Sequence, residues 1–231
     1  MGVDRNRVLV AFQRGPDETV SRAEALERIF GLDSESGQGN IMKNLTWKTK
    51  YYQLQYDLYV DEFEDLANWL DELNESHCEL LRSVLAGVVV VKRFDPTSTA
   101  ELRQFCEIKS PDSFLVWCNT NPADEETLDR ANSTIASTNA NAEMVNWHCT
   151  GSINEYGEKV GVARLREIID THEWAEIRTA ASSSAAPQLK DNLTAVVSKL
   201  QKARQQYQGL ENQDEASSFA AAVAEEIAEL L

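Results

Sequence analysis

Short apolar runs alternate with amphipathic stretches along most of the chain, and the two patterns predict strands and helices. Arg7–Phe12 is an apolar, β-branched run of strand length. Ser21 and Glu24 form a capping box, which predicts the start of a helix that Gly31 closes. The stretch 33–44 is polar and glycine-rich, which predicts a loop.

The middle of the chain predicts strands on either side of a long helix. Residues 47–60 are rich in aromatic and β-branched side chains and predict two strands, or one long bent strand. Residues 62–82 carry apolar side chains at helical spacing. The continuous apolar run 86–91 predicts a strand buried on both faces, as in a parallel sheet. Ser98 and Glu101 form a second capping box, which predicts another helix.

The following residues continue the alternation. The patterns predict a strand at 113–118, a helix at 124–138, a strand at 143–147 and a helix at 158–172. Strands that alternate with helices indicate crossover connections and a mostly parallel sheet flanked by helices. Two consecutive strands after the first helix are typical of small GTPases. The sequence therefore predicts an α/β, small-GTPase-like domain over residues 1–178.

The composition changes at Thr179. Residues 179–188 are rich in Ala and Ser and end near Pro187, which predicts a linker. Residues 189–231 carry two amphipathic helical patterns and predict a hairpin too small to bury both apolar stripes alone. Two outcomes stay open, because the stripes either pack on the domain or mediate self-association or partner binding. The stripe residues are Leu193, Val196, Val197, Leu200, Phe219, Val223, Ile227 and Leu230.

The formal charge of −16 and a sequence pI of about 4.6 narrow the class of partner. Both argue against nucleic acid and against an anionic membrane surface, which attract clustered Lys and Arg. No apolar run follows the amino-terminal residues, so no secretory signal is predicted. The longest apolar stretch, 84–91, is too short to span a bilayer. We expect a cytoplasmic protein whose four cysteines are reduced.

The loops lack the chemistry of a GTPase. A phosphate-binding loop reads G-x-x-x-x-G-K-[ST], whereas residues 13–21 contain one glycine, no Gly-Lys pair and two carboxylates where phosphate would lie. Asp57 and Asp61 stand near the position of a magnesium ligand, but no glycine follows. Asn119 matches one residue of a guanine-reading motif, and an Asn that caps a strand end is the favoured interpretation. We therefore predict no catalysis and no cofactor.

Two further patterns are weaker. His77–Cys78 and His148–Cys149 could meet around zinc, but adjacent residues point to different sides, and zinc sites show wider spacing. Chance neighbours are the favoured interpretation, so no metal site is predicted. The acidic run 57–75 is typical of a solvated helix face, with a docking surface for a basic partner as the less favoured alternative.

Four stretches carry a resemblance to a known family. They are residues 45–60 with Trp47 and the Tyr51-Tyr52 pair, the strand Gly87–Val91 ending in Phe94-Asp95, the helix from Gly161 to Trp174, and the carboxy-terminal helices over 200–227. Together they resemble the alpha- and gamma-adaptin-binding proteins and their smaller fungal relatives. That family consists of assembly chaperones and accessory factors for clathrin adaptor complexes.

The resemblance implies how the two parts would work. A GTPase-like domain without phosphate-loop chemistry would hold a small adaptor chain. The carboxy-terminal helices would self-associate, forming a homodimer, and would bind a large adaptin chain. We therefore expect a non-catalytic protein-binding factor in clathrin-mediated vesicle traffic. The alternatives are an atypical nucleotide-binding switch of the small-GTPase fold and an enzyme that uses the His-Cys pairs.

Overall fold

The computed structural model describes residues 6–15, 20–33, 37, 39–97, 99–110, 112–149, 151–175 and 178–179. The predicted linker and hairpin lie outside these residues apart from Thr179, and so does every stripe residue from Leu193 to Leu230. Residues 16–19, where a phosphate-binding loop would lie, and the capping residue Ser98 are outside as well. The expectations for these segments therefore stay predictions.

A single sheet organises the described residues. Within them six strands lie in the order β2-β3-β1-β4-β5-β6, and the two-residue strand β7 pairs with β3. β2 runs antiparallel to β3, whereas the other neighbouring pairs along this order are parallel. The mixed α/β class with a mostly parallel sheet is thus confirmed. The strands are β1 (Arg7–Gln13), β2 (Ile41–Lys48), β3 (Tyr52–Phe63), β4 (Leu85–Lys92), β5 (Phe114–Asn119), β6 (Ala142–Asn146) and β7 (Arg178–Thr179).

Helices cover both faces of the sheet. They are α1 (Arg22–Phe30), α2 (Leu66–Asn74), α3 (Glu79–Val84), α4 (Thr99–Cys106), α5 (Glu125–Thr138) and α6 (Gly161–Thr171). The apolar sides of α1 and α6 share a core with one face, while those of α2, α4 and α5 share a core with the other. Burial of each large apolar side chain in these cores stabilises the folded state by about 1.5–3 kcal/mol. None of the described helices combines the length and apolarity that crossing a bilayer requires.

The ends of α1 follow the capping signals in the sequence. Ser21 Oγ accepts a hydrogen bond from the N–H of Glu24 at 3.2 Å. Gly31 adopts a left-handed φ of 71°, and its N–H donates to the carbonyl of Glu27 at 2.8 Å. A side chain with a Cβ is disfavoured in this conformation, which explains why a glycine ends the helix.

The prediction of a loop over residues 33–44 is wrong at its carboxyl end, because β2 begins at Ile41. Met42 is buried and pairs with Leu58 of β3. A bulge follows, where Asn44 takes a φ of 57° and its N–H donates to the Asp57 carboxylate. The bulge interrupts the alternation of apolar and polar residues, so the start of this strand cannot be recognised from the pattern alone.

The segment 47–60 forms two strands rather than one bent strand. β2 ends at Lys48 and β3 begins at Tyr52. In the turn between them, Thr49 Oγ1 accepts hydrogen bonds from the N–H groups of Tyr51 and Tyr52. The hydroxyl of a Thr can satisfy turn amides in this way, which favours the reversal at this position.

The helix predicted over 62–82 is divided in the structure. β3 continues through Phe63, α2 ends at Asn74, and a 3₁₀ turn separates it from α3. The buried guanidinium of Arg82 donates to the carbonyls of Leu73 and Glu75, at the end of α2. These tertiary hydrogen bonds satisfy carbonyl groups that a continuous helix would have satisfied along its own axis.

The end of α6 is fastened to the β2–β3 hairpin. Trp47 Nε1 donates to Asp170 Oδ1 at 2.8 Å, and the Tyr52 hydroxyl donates to the Asp170 carbonyl at 2.7 Å. Trp174 is buried against the rings of Tyr56 and Phe114. This aromatic cluster therefore closes one core at the carboxyl end of α6.

Phe114 reaches this cluster because β4 leaves space for its ring. A Cβ built on Gly87 would lie 2.1 Å from Phe114 Cζ, well inside van der Waals contact. The ring then packs edge-on against His172, with centroids 5.1 Å apart. Burial lowers the pKa of His172 from 6.5, while Glu173 and Asp112 act in the opposite direction.

The lowered pKa of His172 predicts a loss of stability in acid. Below about pH 6.5 the unfolded chain binds a proton that the folded chain does not, so the free energy of unfolding falls as the pH drops. We expect His172→Phe to reduce this slope, by up to about 1.4 kcal/mol per pH unit. Denaturant unfolding between pH 5 and 8 measures it.

The exposed His148 supplies the matched control. His148→Asn removes an imidazole from a solvated position, so its pH profile should follow that of the unmodified chain. A slope that is unchanged in His172→Phe would contradict the assignment of the acid sensitivity to this ring.

Candidate functional site

Ligands of open α/β sheets bind at the carboxyl ends of the strands, where the strand order reverses. Here that point lies between β1 and β4, the central parallel pair of the sheet. A cavity of about 340 Å³ is present at this place. Its lining residues are Gln13 at the end of β1, Lys92 at the end of β4, residues 93–96 after it, and Asn121 after β5.

Asn119, the last residue of β5, ties together the loops beside this crevice. It is 1% exposed, and its Oδ1 accepts hydrogen bonds from the N–H groups of Phe94 and Asn121, both at 2.9 Å. Its Nδ2 donates to Asn146 Oδ1 at 3.0 Å, and Asn146 Nδ2 donates to the Ala123 carbonyl. Both ends of the Asn119 amide are thus engaged in holding strand ends, as the favoured interpretation of this residue expects.

The buried cation of the crevice has a carboxylate partner. Lys92 is 9% exposed, and its Nζ lies 2.7 Å from Glu101 Oε2 and 5.6 Å from the centre of the Trp117 ring. Arg14, which follows β1, forms an ion pair with Glu62. Both cations are therefore largely neutralised by the protein's own carboxylates.

A further carboxylate lies at the mouth of the crevice. Asp95 accepts hydrogen bonds from the N–H and hydroxyl groups of Thr97, at 2.9 and 2.7 Å. These bonds hold the pKa of Asp95 below its ordinary value, so it is charged at neutral pH. A phosphate group would meet this negative charge, and the nearby Arg93 is exposed to solvent, where its charge is screened.

The two carboxylates near the sequence position of a magnesium ligand have structural partners. Asp57 pairs with Arg7 at the beginning of β1, which is the opposite end of the strand from the crevice. Asp61 Oδ2 accepts a hydrogen bond from Trp69 Nε1 at 2.9 Å, which anchors α2. The structure therefore does not bring Asp57 to the crevice, and it uses Asp61 to hold a helix.

The two His-Cys pairs are separated by the fold. His77–Cys78 forms the 3₁₀ turn before α3 and β4, whereas His148–Cys149 follows the carboxyl end of β6. They lie at opposite ends of the parallel strands, near the start of β4 and beyond the carboxyl end of β6, and therefore cannot share one metal ion. No group of three or more potential ligands meets elsewhere among the described residues. Burial raises the pKa of Cys106 to about 11 and of Cys118 to about 12, which leaves both thiols protonated at neutral pH.

Sequence reasoning missed the ion pair of Lys92 and the amide network around Asn146. A lysine that directly follows the apolar run of β4 was the available signal for the first. The network depends on three strand ends that are far apart in sequence, so no local pattern reveals it. The predicted interaction stripe, from Leu193 to Leu230, lies outside the described residues and is not placed by the structure.

Comparison with known proteins adds a functional context. Residues 158–226 match the family described as alpha and gamma adaptin binding protein p34. The match begins in the loop before α6 and continues past the described residues. The chain is also similar to a curated protein called increased recombination centers protein 6 in several yeasts. The one from Zygosaccharomyces rouxii is 34% identical over 96% of this chain and 93% of its own length.

Two further comparisons agree with these. The protein of the same name from Saccharomyces cerevisiae is 31% identical over 98% of each chain. The crystal structure of yeast Irc6p, described as a novel type of conserved clathrin accessory protein, superimposes with a TM-score of 0.68 at 33% identity. That superposition covers 78% of this chain and 98% of the other.

The crevice predicts the result of a nucleotide-binding experiment. A fluorescent GTP analogue with Mg²⁺ should show no saturable change in polarisation, because Lys92 is already paired and Asp95 repels phosphate. Saturable binding that Lys92→Ala abolishes would contradict this expectation. Arg103→Ala, a change on the exposed side of α4, is the matched control for loss of one positive charge.

Proposed function

The chain belongs to the family of increased recombination centers protein 6, and we propose that it is a clathrin accessory factor that acts by binding adaptor subunits. One observation carries the proposal, namely the match of residues 158–226 to the adaptin-binding family. This stretch includes α6, which is fastened to the β2–β3 hairpin, and it continues into the predicted carboxy-terminal helices. The proposed place of action is the cytoplasm.

We infer further that the domain is a small-GTPase-like scaffold without catalysis. The order β2-β3-β1-β4-β5-β6, with β2 antiparallel, supports this inference. So does the crevice, where Asn119 fastens the strand ends and Glu101 neutralises Lys92. A hydrolase would need free cations and a metal ligand directed at the transferred phosphate.

A binding factor of this kind would work by covering apolar surface. An unassembled adaptor subunit exposes surface that its partners normally bury, and such surface promotes aggregation. The predicted carboxy-terminal stripe would cover it until another subunit displaces this chain. The stripe is also the proposed surface for self-association, since a short hairpin cannot bury two apolar faces alone.

The second candidate function is an atypical nucleotide-binding switch. The cavity between β1 and β4 favours it, because this is the position where doubly wound folds bind nucleotides and because Lys92 and Arg93 line it. The experiment with the fluorescent GTP analogue separates the two candidates.

Co-expression tests the proposed partner class. We expect at least one large or small adaptor subunit to become soluble and to co-purify when it is produced together with this chain, because its apolar surface is then covered. The measurement is the soluble yield of each subunit with and without the chain. If every subunit is equally soluble in both conditions and none co-purifies, the adaptor assignment is wrong.

Substitutions in the stripe test the predicted interaction surface. Phe219→Asp or Val223→Asp places a charge on an apolar face, which would have to be desolvated in a complex. We expect roughly a tenfold or greater loss of partner binding or self-association, while the domain keeps its thermal unfolding transition. Ser217→Asp adds the same charge on the opposite side of the predicted helix and should bind normally. If all three variants bind as the unmodified chain does, the stripe is not the interaction surface.

A further inference from the structure

A hydrogen-bonded turn presents two large apolar side chains to solvent between β6 and α6. Ile153 is 59% exposed and Tyr156 is 74% exposed. Asn154 holds the turn, since its Oδ1 accepts hydrogen bonds from the N–H groups of Tyr156 and Glu158, at 3.1 and 2.8 Å. Its own N–H donates to the Glu158 carbonyl at 2.8 Å. Single exposed apolar residues are common on protein surfaces, but these two lie close together on a hydrogen-bonded turn beside a groove.

The groove has a volume of about 660 Å³ and lies along the outer edge of β6. One wall is α5, which contributes Leu128 and Asn132, and the other is the turn with Ile153 and Tyr156. Because β6 is the last strand of the sheet order, its outer edge faces this groove. The site is distinct from the crevice between β1 and β4.

The backbone of β6 does not offer a place for an added strand. The Asn132 side chain occupies the edge, where Oδ1 accepts the Met144 N–H at 2.7 Å and Nδ2 donates to the Met144 carbonyl at 3.0 Å. At the end of the strand, the Asn146 carbonyl lies 2.9 Å from where a Cβ of Gly161 would be. The outward-facing peptide groups are thus covered, which protects this edge from β-pairing. An occupant must therefore bind through its side chains.

The charges around the groove favour a basic occupant. Its cations Lys159 and Arg164 are engaged by Glu167 and Glu143, at 3.2 and 2.8 Å. By contrast, Glu125 on the α5 wall is exposed and has no ion pair among the described residues. The same holds for two other exposed carboxylates that line the groove, Asp129 and Glu158.

We propose that this groove docks a basic amphipathic helix of a partner protein. The apolar side of the helix would cover Ile153, Tyr156 and Leu128, and its Lys or Arg residues would lie beside Glu125 and Asp129. A helix satisfies its own backbone hydrogen bonds, so it suits an edge that Asn132 has already closed. A partner with an acidic surface would be repelled by the carboxylates of the groove. The inference goes beyond the proposed function, because it concerns another surface and does not require an adaptor subunit as the partner.

Synthetic helical peptides provide the probe. One peptide carries Leu on one side and Lys on the other, a second replaces Lys by Glu, and a third scrambles the Leu/Lys order. Fluorescence polarisation measures their binding to the full chain at moderate salt, where diffuse attraction is screened. We expect saturable binding of the ordered Lys peptide. Failure of this peptide to bind, or equal binding of the scrambled one, would overturn the proposal.

Substitutions then locate the binding. The double variant Glu125→Lys/Asp129→Lys and the double variant Ile153→Ser/Tyr156→Ala should each weaken binding by roughly tenfold or more. The matched control, Asp71→Lys/Glu72→Lys, makes the same charge change on exposed positions of α2 and should weaken it by less than about twofold. All six positions are exposed, so thermal unfolding should be preserved.

Three results would contradict the proposal. If both charge-reversal variants weaken binding equally, the attraction belongs to the whole acidic surface and not to the groove. If Ile153→Ser/Tyr156→Ala binds normally, the turn takes no part. Sedimentation without any peptide compares the groove variants with the unmodified chain. If the variants have a lower mass in solution, the occupant is a second copy of this chain, and the proposal is overturned.

Discussion

The contact between the end of α6 and the β2–β3 hairpin is the interaction on which much of this fold depends. Asp170 accepts hydrogen bonds from the indole N–H of Trp47 and the hydroxyl of Tyr52, and the buried Trp174 packs at the same corner of the core. The two sides of this contact are more than a hundred positions apart in the sequence, so the contact joins the antiparallel edge of the sheet to α6. Loss of the Trp47 indole and the Tyr52 hydroxyl would remove the hydrogen-bond donors of the half-buried Asp170 carboxylate and of its main-chain carbonyl, respectively.

This contact also explains why two distant stretches together carried the resemblance to adaptin-binding proteins. The aromatic stretch around Trp47 and the segment made of α6 and the following Trp174 are the two sides of one interface. Gly87 belongs to the same arrangement, because its missing side chain leaves room for Phe114, which packs on His172 and Trp174. The short motifs are thus explained by packing requirements, and they need not mark a catalytic site.

The polar groups of the crevice and of the β6 edge show two different uses of asparagine. Asn119 binds strand ends together from within, and Asn132 covers a strand edge from outside. Both side chains replace backbone hydrogen bonds that the sheet alone could not provide. The first holds the loops beside the crevice through internal hydrogen bonds. The second leaves a groove whose chemistry suits a protein helix.

The sequence by itself determined the elements whose signals are local. Continuous apolar runs marked β4 and β5, and Ser21 and Gly31 marked the ends of α1, because burial and capping act within a few residues. The order of strands and helices followed from these elements. The interaction stripe of the carboxy-terminal segment is likewise a local pattern, although it stays a prediction.

Only the tertiary structure decided the features that depend on distant partners. β2 begins at Ile41 because Met42 pairs with Leu58, and α2 ends where Arg82 binds its last carbonyls. The position of Asp57 at the far end of β1 follows from strand register, which the sequence does not show. In each case the stabilising free energy comes from contacts between segments that are far apart in the sequence. Periodicity is a property of a single segment, so it cannot show which distant segments will meet.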